Sequence, residues 1–315
     1  MKIDNILAVR NDRFGEFLLN IPALRALKGS FPEARLTLVV NPYIAELAAR
    51  IDFVSEIIPW EHKKHKLGEI LRLSRELKKK KFGLCLIFNP SKEFNMVSFL
   101  SRIPIRVGYD RKWGFLLTQK MPDKKYLGLK HEVEYNLELA GMVGARTNNL
   151  GLSLSIFDAI INNFPGAVAI HPWTSDPQKQ WPVGYFRKLT LKLIQDLGSK
   201  VVIVGGREEK QKSREYFSQL SPEATDFTGM TSLVELGVLL KQCRLLISGD
   251  SGPVHLASCV GTPALVLFRA DNPGKSSKRW GPWDKNSSVI EKHRLADISV
   301  EEVFLKAKEM LRQNA

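Results

Sequence analysis

Short apolar runs alternate with stretches of three- and four-residue hydrophobic spacing, and halfway along the chain the alternation starts again. In the first half, residues 6–9, 36–40, 54–58, 84–88 and 105–108 read as strands. Between them, residues 14–29 carry Phe17, Leu18, Ile21, Leu24 and Leu27 at helical spacing, and residues 44–51, 66–79, 97–101 and 132–142 also read as helices. After a linker at 162–166, strands are predicted at 168–171, 201–205, 225–227, 245–248 and 264–268. Helices are predicted at 183–197, 208–220, 233–241, 254–260 and 300–311. Strands alternating with helices build a parallel sheet covered on both faces. A chain of 315 residues is more than one core usually serves. The pattern therefore predicts two doubly wound α/β domains, residues 1–160 and 161–315. Ligands in such sheets bind outside the carboxyl ends of the strands, which directs attention to the loops there and to a cleft between the two domains.

Charge narrows the ligand class. The net charge is +14, which predicts attraction to phosphorylated small molecules, an acidic membrane surface or nucleic acid. Nucleic acid is set aside, because no recognised motif or stripe of aromatics accompanies the basic runs. Lys78 to Lys81 end a helix and read as a solvated face. Lys63-Lys64-His65-Lys66 and Arg111-Lys112 fall in loops, and Lys63, Lys64, Arg111 and Lys112 are the better candidates for contact with an anion. Lys124-Lys125 and Lys275 with Lys278 and Arg279 complete the basic set. Cys85, Cys243 and Cys259 lack metal-ligand spacing and sit in apolar surroundings, as reduced core thiols of a cytosolic protein do. With no HExxH, CxxC or paired-His motif, neither a metal nor a cofactor is expected. The N-terminus has too short an apolar run for a signal peptide, and no stretch has the apolar length to span a bilayer. The expectation is a cytoplasmic protein, peripheral at most to a membrane.

Three loops carry candidate chemistry. Ser248-Gly249-Asp250-Ser251-Gly252-Pro253-Val254-His255 follows the apolar strand Leu245-Leu246-Ile247. A glycine-bearing turn from strand into helix aims backbone N–H groups and the helix dipole outward, which suits phosphate. Asp250 would repel phosphate and is expected to face hydroxyls or a cation, while His255 lies in the first helical turn. The structural alternative is a tight turn N-capped by Ser251 around a packed histidine. The second loop, residues 171–182, offers the hydroxyls of Thr174 and Ser175 and the ammonium of Lys179, able to neutralise a leaving diphosphate without a metal; alternatively it is a surface loop anchored by Trp181. The third, Arg10-Asn11-Asp12-Arg13-Phe14-Gly15-Glu16-Phe17, brings Asp12 and Glu16 to the end of the first strand. Either carboxylate could act as general base. On the residues alone, helix capping by Asp12 with Glu16 favouring the helix N-terminus is the preferred reading.

Taken in order, Arg10-Asn11-Asp12-Arg13-Phe14-Gly15-Glu16, Ile21-Pro22-Ala23-Leu24-Arg25-Ala26-Leu27, His131-Glu132-Val133-Glu134-Tyr135-Asn136, Lys179-Gln180-Trp181-Pro182, Gly205-Gly206-Arg207-Glu208-Glu209, Thr228-Gly229-Met230-Thr231-Ser232-Leu233 and Gly249-Asp250-Ser251-Gly252-Pro253-Val254-His255-Leu256-Ala257 resemble the ADP-heptose:lipopolysaccharide heptosyltransferases, glycosyltransferase family 9. The resemblance covers nearly the whole chain. It implies a GT-B fold, two Rossmann-like domains facing a central cleft, with acceptor in the N-terminal domain and donor in the C-terminal one. It also implies an inverting, metal-independent transfer of heptose from an ADP-sugar to an anionic lipopolysaccharide-precursor acceptor at the cytoplasmic face of the inner membrane. Glu16 matches the family's base, at a position where Asp is usual; the extra methylene leaves Asp12 as the other candidate. The resemblance puts the donor diphosphate and sugar on Lys179, Asp250, Ser251, Gly252 and His255 and the ribose near Glu208; Thr174, Ser175, Gly205, Gly206, Thr228 and Met230 complete the donor-binding candidates. The candidates for acceptor binding are Gly15 in the first loop and, from the basic loops, Lys63, Lys64, Arg111 and Lys112. Ser251 stands where Thr is common and keeps the hydroxyl. The competing readings are the same fold acting on another nucleotide-sugar and glycan, a nucleotide-sugar 2-epimerase, and a non-catalytic module binding anionic lipid or glycan.

Overall fold

The computed structural model describes residues 2–156, 164–218 and 220–313. The chain divides into two compact units, Met1–Ser155 and Ile156–Ala315. The expected domain boundary at 160/161 and the first two residues of the expected linker 162–166 lie outside the described residues.

The first unit holds β1 (Asn5–Val9), β2 (Arg35–Val40), β3 (Glu56–Pro59), β4 (Leu84–Ile87), β5 (Ile105–Tyr109) and β6 (Gln119–Met121). The second holds β7 (Val168–His171), β8 (Val201–Ile203), β9 (Ala224–Asp226), β10 (Leu245–Gly249), β11 (Ala264–Arg269) and β12 (Ser288–Lys292). The sheet orders are β3-β2-β1-β4-β5-β6 and β12-β11-β10-β7-β8-β9, with every pairing parallel. Read from the first strand of each unit, the two orders are the same. Strand order reverses between β1 and β4 in one sheet and between β7 and β10 in the other, the crevices where doubly wound sheets take ligands.

Helices cover both faces, which is why the central strands are apolar throughout rather than alternating. Leu84, Cys85, Leu86 and Ile87 are all buried, as are Leu245, Leu246 and Ile247. Burial pushes the thiols of Cys85 and Cys243 up to about 12 and that of Cys259 higher still, so all three are protonated core groups.

The structure corrects several expected elements. Residues 14–29 form two helices, Phe14–Leu18 and Ile21–Ser30. Pro22 sits in the first turn of the second, and Asn20 turns its side-chain amide onto the Glu16 carbonyl (2.7 Å), closing the first. The helix expected at 44–51 is only the single turn Ala45–Ala48, preceded by the 3₁₀ turn Pro42–Ile44. The helix expected at 97–101 starts earlier, at Lys92, because Ser91 caps it by accepting from the Phe94 amide (3.2 Å). The helix expected at 208–220 is confined to Lys210–Phe217. The edge strands β6 and β12 had no expectation at all; one is three residues long and the other carries Ser288, Glu291 and Lys292.

Candidate functional site

In the second unit, β7 and β10 end side by side and their loops meet. Lys179, in the short turn Pro177–Lys179, donates from Nζ to Asp250 Oδ2, and both side chains are mostly buried. Asp250, expected to face hydroxyls or a cation, faces this cation. Ser251 is the N-cap residue of the helix Gly252–Val260, but the expected capping bond is not made. Its hydroxyl is instead 2.8 Å from Ser248 Oγ and 3.1 Å from His171 Nδ1. His171 Nδ1 is also 3.1 Å from Ser248 Oγ. The three side chains tie the end of β7 to the start of the β10 loop.

Burial lowers the His171 pKa from 6.5 to about 4, so the imidazole is neutral near pH 7. Between these values the unfolded chain takes up a proton that the folded chain refuses, so stability falls as pH drops from about 6.5 towards about 4. Urea unfolding of wild type and His171→Asn at pH 7.5 and 4.5 should show the variant losing roughly 2 to 3 kcal/mol less on acidification. Parallel losses would refute the assignment.

Lys179 and Asp250 line an open cleft together with Asp176, Gln178, Arg269 and Lys275. Asp176 accepts from the Gln178 amide (3.1 Å) and from Lys275 (3.0 Å), which holds its carboxyl below the usual range. Arg269 donates to the Gln178 carbonyl (2.9 Å) and to Asp271 (2.9 Å). Sequence reasoning missed Arg269 and Asp271, although the rule that singled out the other loops applies equally to the end of β11.

The remaining candidates share this sheet edge but not the cleft. Thr174 accepts from the Asp176 amide (3.2 Å), and Ser175 and Glu208 are exposed. Met230 is exposed, whereas His255 is buried in the helix Gly252–Val260. Thr228 is buried with its hydroxyl donating to Ser213 (3.1 Å). Gly205 lies under the Trp173 ring, where a Cβ would fall 2.4 Å from Cδ1. Thr228 and Gly205 thus pack the loop from within. Gly206 meets only the mobile ends of Glu208 and Glu209.

In the first unit the candidate residues gather at the carboxyl ends of β1, β3 and β5. Asp12 does not cap the helix Phe14–Leu18, whose N-cap is Arg13. Its Oδ1 accepts from Arg10 Nε (2.8 Å), and Arg10 Nη1 donates to the fully buried Glu132 (3.3 Å). Glu132 also accepts from Lys125 Nζ (2.7 Å). Burial opposes the charge on Arg10, but Asp12, Glu132 and Glu16 together outweigh it and hold the guanidinium protonated. Glu16 is in the first helical turn beside the buried Gly15, and burial, with Asp12 next, raises its carboxyl pKa. Tyr43 accepts from the Phe14 amide (3.2 Å), and burial pushes its phenol up to about 12.

Lys63 and Lys64 are exposed on the loop after β3. That loop is fastened by residues the sequence did not single out: His65 stacks on Trp60 (centroids 4.2 Å apart), Trp60 Nε1 donates to Glu93 Oε1 (2.5 Å), and His65 Nδ1 is 3.1 Å from the same carboxylate. Arg111 and Lys112 are exposed after β5, Arg111 paired with Asp123 (3.0 Å). Among the described residues, no group of three or more His, Cys, Asp or Glu side chains is arranged to hold a metal ion.

Two doubly wound units, each with polar loops at its order reversal, have the layout of α/β proteins that take ligands at that point, and comparison with known proteins gives the family. The profile of Glycosyltransferase family 9 (heptosyltransferase) matches residues 70–307. Lipopolysaccharide heptosyltransferase 2 of Salmonella typhimurium is 23% identical over 297 residues, covering 85% of this chain and 83% of that protein. A glycosyl transferase family 9 structure from Veillonella parvula superposes with a TM-score of 0.85 at 20% identity, covering 99% of both chains. The E. coli ADP-heptose lps heptosyltransferase II structure gives 0.83 at 21% identity, covering 98% of this chain and 99% of that one. The chain belongs to glycosyltransferase family 9, the heptosyltransferase family, and its fold is GT-B. The 2-epimerase and non-catalytic readings give way to a glycosyltransferase.

Proposed function

We propose that the chain transfers a heptose from ADP-heptose, with inversion and without a metal, to an anionic inner-core lipopolysaccharide precursor. The observation that carries the donor half is the Lys179–Asp250 pair at the reversal between β7 and β10. In this reading Lys179 is the cation for a leaving diphosphate and Asp250 the carboxylate for sugar hydroxyls, supported by the amides after Asp250 at the N-terminus of the helix Gly252–Val260. Ser251, Gly252 and His255 complete that loop, with Thr174, Ser175, Gly206, Met230 and the exposed Glu208 around the nucleotide. The second unit is then the donor domain and the first the acceptor domain. In the first unit Glu16 takes the proton of the acceptor hydroxyl as it attacks the anomeric carbon from the face opposite ADP. Gly15, Lys63, Lys64, Arg111 and Lys112 meet the anionic acceptor. Among the described residues no helix is long and apolar enough to cross a membrane. A lipid-linked acceptor is accordingly met by peripheral contact of a basic protein at the cytoplasmic face of the inner membrane.

A thermal-shift panel tests the donor. At one hundred times Kd a ligand stabilises the native state by about 2.7 kcal/mol, a shift of several degrees for a unit of this size. ADP and ADP-sugars should raise the melting temperature while UDP and GDP do not. A UDP-selective response would sink the ADP-heptose reading and favour another nucleotide-sugar on the same fold.

A further inference from the structure

Between β5 and the helix Glu132–Gly141 the chain makes an excursion, residues 111–130, that the site above uses only at Arg111 and Lys112. It contains six basic residues and one acidic residue, Asp123. It also displays the largest concentration of exposed apolar side chains among the described residues: Trp113 (44% exposed), Phe115 (73%), Tyr126 (69%), Leu127 (40%) and Leu129 (58%). Single exposed apolar residues are ordinary, but five in twenty residues require an explanation.

This display is held in place. Lys112 and Trp113 both adopt left-handed backbone (φ 48° and 70°), an unfavourable conformation for residues with side chains. The buried Asn95 secures that turn by donating to the carbonyl oxygens of Arg111 (3.3 Å) and Lys112 (3.0 Å). The second turn is pinned by Lys125, which points inward to Glu132 (2.7 Å) and lies over the Tyr109 ring (4.3 Å), leaving Tyr126, Leu127 and Leu129 outside. The Arg111–Asp123 ion pair joins the two turns. Aromatic and leucine side chains set among exposed Lys112, Lys120, Lys124 and Lys130 have the composition of a surface that enters a lipid headgroup layer, with rings at the boundary and ammonium groups on anionic headgroups.

We infer that residues 111–130 are the membrane-contact surface of this protein, docking on an anionic lipid bilayer through Phe115, Tyr126 and Leu129, with Lys124 adding charge attraction. This rests on the reading that the acceptor is lipid-linked, but its test uses neither acceptor nor donor turnover. The full chain is mixed with vesicles of phosphatidylcholine containing phosphatidylglycerol, or of phosphatidylcholine alone, and bound protein is measured by flotation. Wild type should float with the anionic vesicles, more weakly as salt is raised, and scarcely with the neutral ones. The triple variant Phe115→Ser/Tyr126→Ser/Leu129→Ser should lose about tenfold or more of that partition, and Lys124→Glu severalfold at low salt. Melting temperature and the ADP-induced shift of both variants, measured in parallel, should match wild type, showing that the fold and donor site are intact. Wild-type partition by the triple variant would overturn the assignment, as would equal, salt-insensitive binding to neutral vesicles. So would self-association of the wild type that the triple variant loses, since the patch would then belong to a second copy. An ADP response without vesicle binding defeats this inference alone; vesicle binding without an ADP-selective response defeats the donor reading alone.

Discussion

Glu16→Gln should lower turnover by about two to four orders of magnitude, the usual contribution of a positioned general base, while the ADP-induced thermal shift stays at the wild-type value. The two carboxylates near the end of β1 are differently engaged. Asp12 accepts from Arg10, which is itself fixed by buried Glu132, so Asp12 is committed to an ion pair. Glu16 lies in the field of that pair, and burial together with the Asp12 charge raises its pKa. A carboxylate shifted in that direction is a stronger base near neutral pH, at the cost of losing its charge at a higher pH than an ordinary glutamate. The acid limb of kcat/KM should therefore fall as pH drops through a value above the usual carboxylate range, and that limb should disappear in the residual activity of Glu16→Gln. The extra methylene of Glu at this position bears on geometry, so Glu16→Asp distinguishes reach from basicity: it should keep more activity than Glu16→Gln. Near-normal turnover in Glu16→Gln, with loss in Asp12→Asn, would transfer the role to Asp12.

How much of this was legible in the sequence depended on how local the signal was. The central strands could be read because helices cover both faces and force unbroken apolar runs, as at Leu84-Cys85-Leu86-Ile87 and Leu245-Leu246-Ile247. Edge strands β6 and β12 lack that double burial, and their polar residues conceal them. Loop positions after strands were legible for the same reason the strands were, which brought out Lys179 and Asp250. Their mutual ion pair was only half visible: charge repulsion required a cation near Asp250 but could not say which, because the partner lies 71 residues away. Capping was misread where another side chain took the capping group in place of the helix amides. Asp12 and Ser251 have the right chemistry to cap, but Arg10 takes one, and Ser248 with His171 takes the other. The cluster of Trp60, His65 and Glu93 went unnoticed because nothing in the spacing links Glu93, 28 residues beyond His65, to the loop that carries Trp60 and His65.

Glu132→Ala should cost about 3 to 5 kcal/mol of stability, the range for breaking a buried ion pair by removing one partner. In the sequence Glu132 was merely part of a motif, but in the fold it is fully buried and receives both Arg10 and Lys125. Its deletion leaves two cations facing each other without the carboxylate that separates them, and neither can reach solvent without moving its strand end or turn. For a unit of some 150 residues such a loss corresponds to roughly 10 °C or more in the melting temperature. The cost should be partly recovered by Lys125→Met in the same chain, because removing one cation relieves the imbalance, while Arg10 keeps Asp12 as a partner. A double-mutant cycle on Glu132 and Lys125 should therefore give a coupling energy well outside simple additivity. Since the network lies within the first unit, the ADP response of the second should survive in every variant of the cycle under conditions where the protein remains folded. A loss below about 1 kcal/mol for Glu132→Ala, or strict additivity with Lys125→Met, would mean that the buried charges relax or gain water and that Arg10 does not depend on Glu132 to hold Asp12 near Glu16.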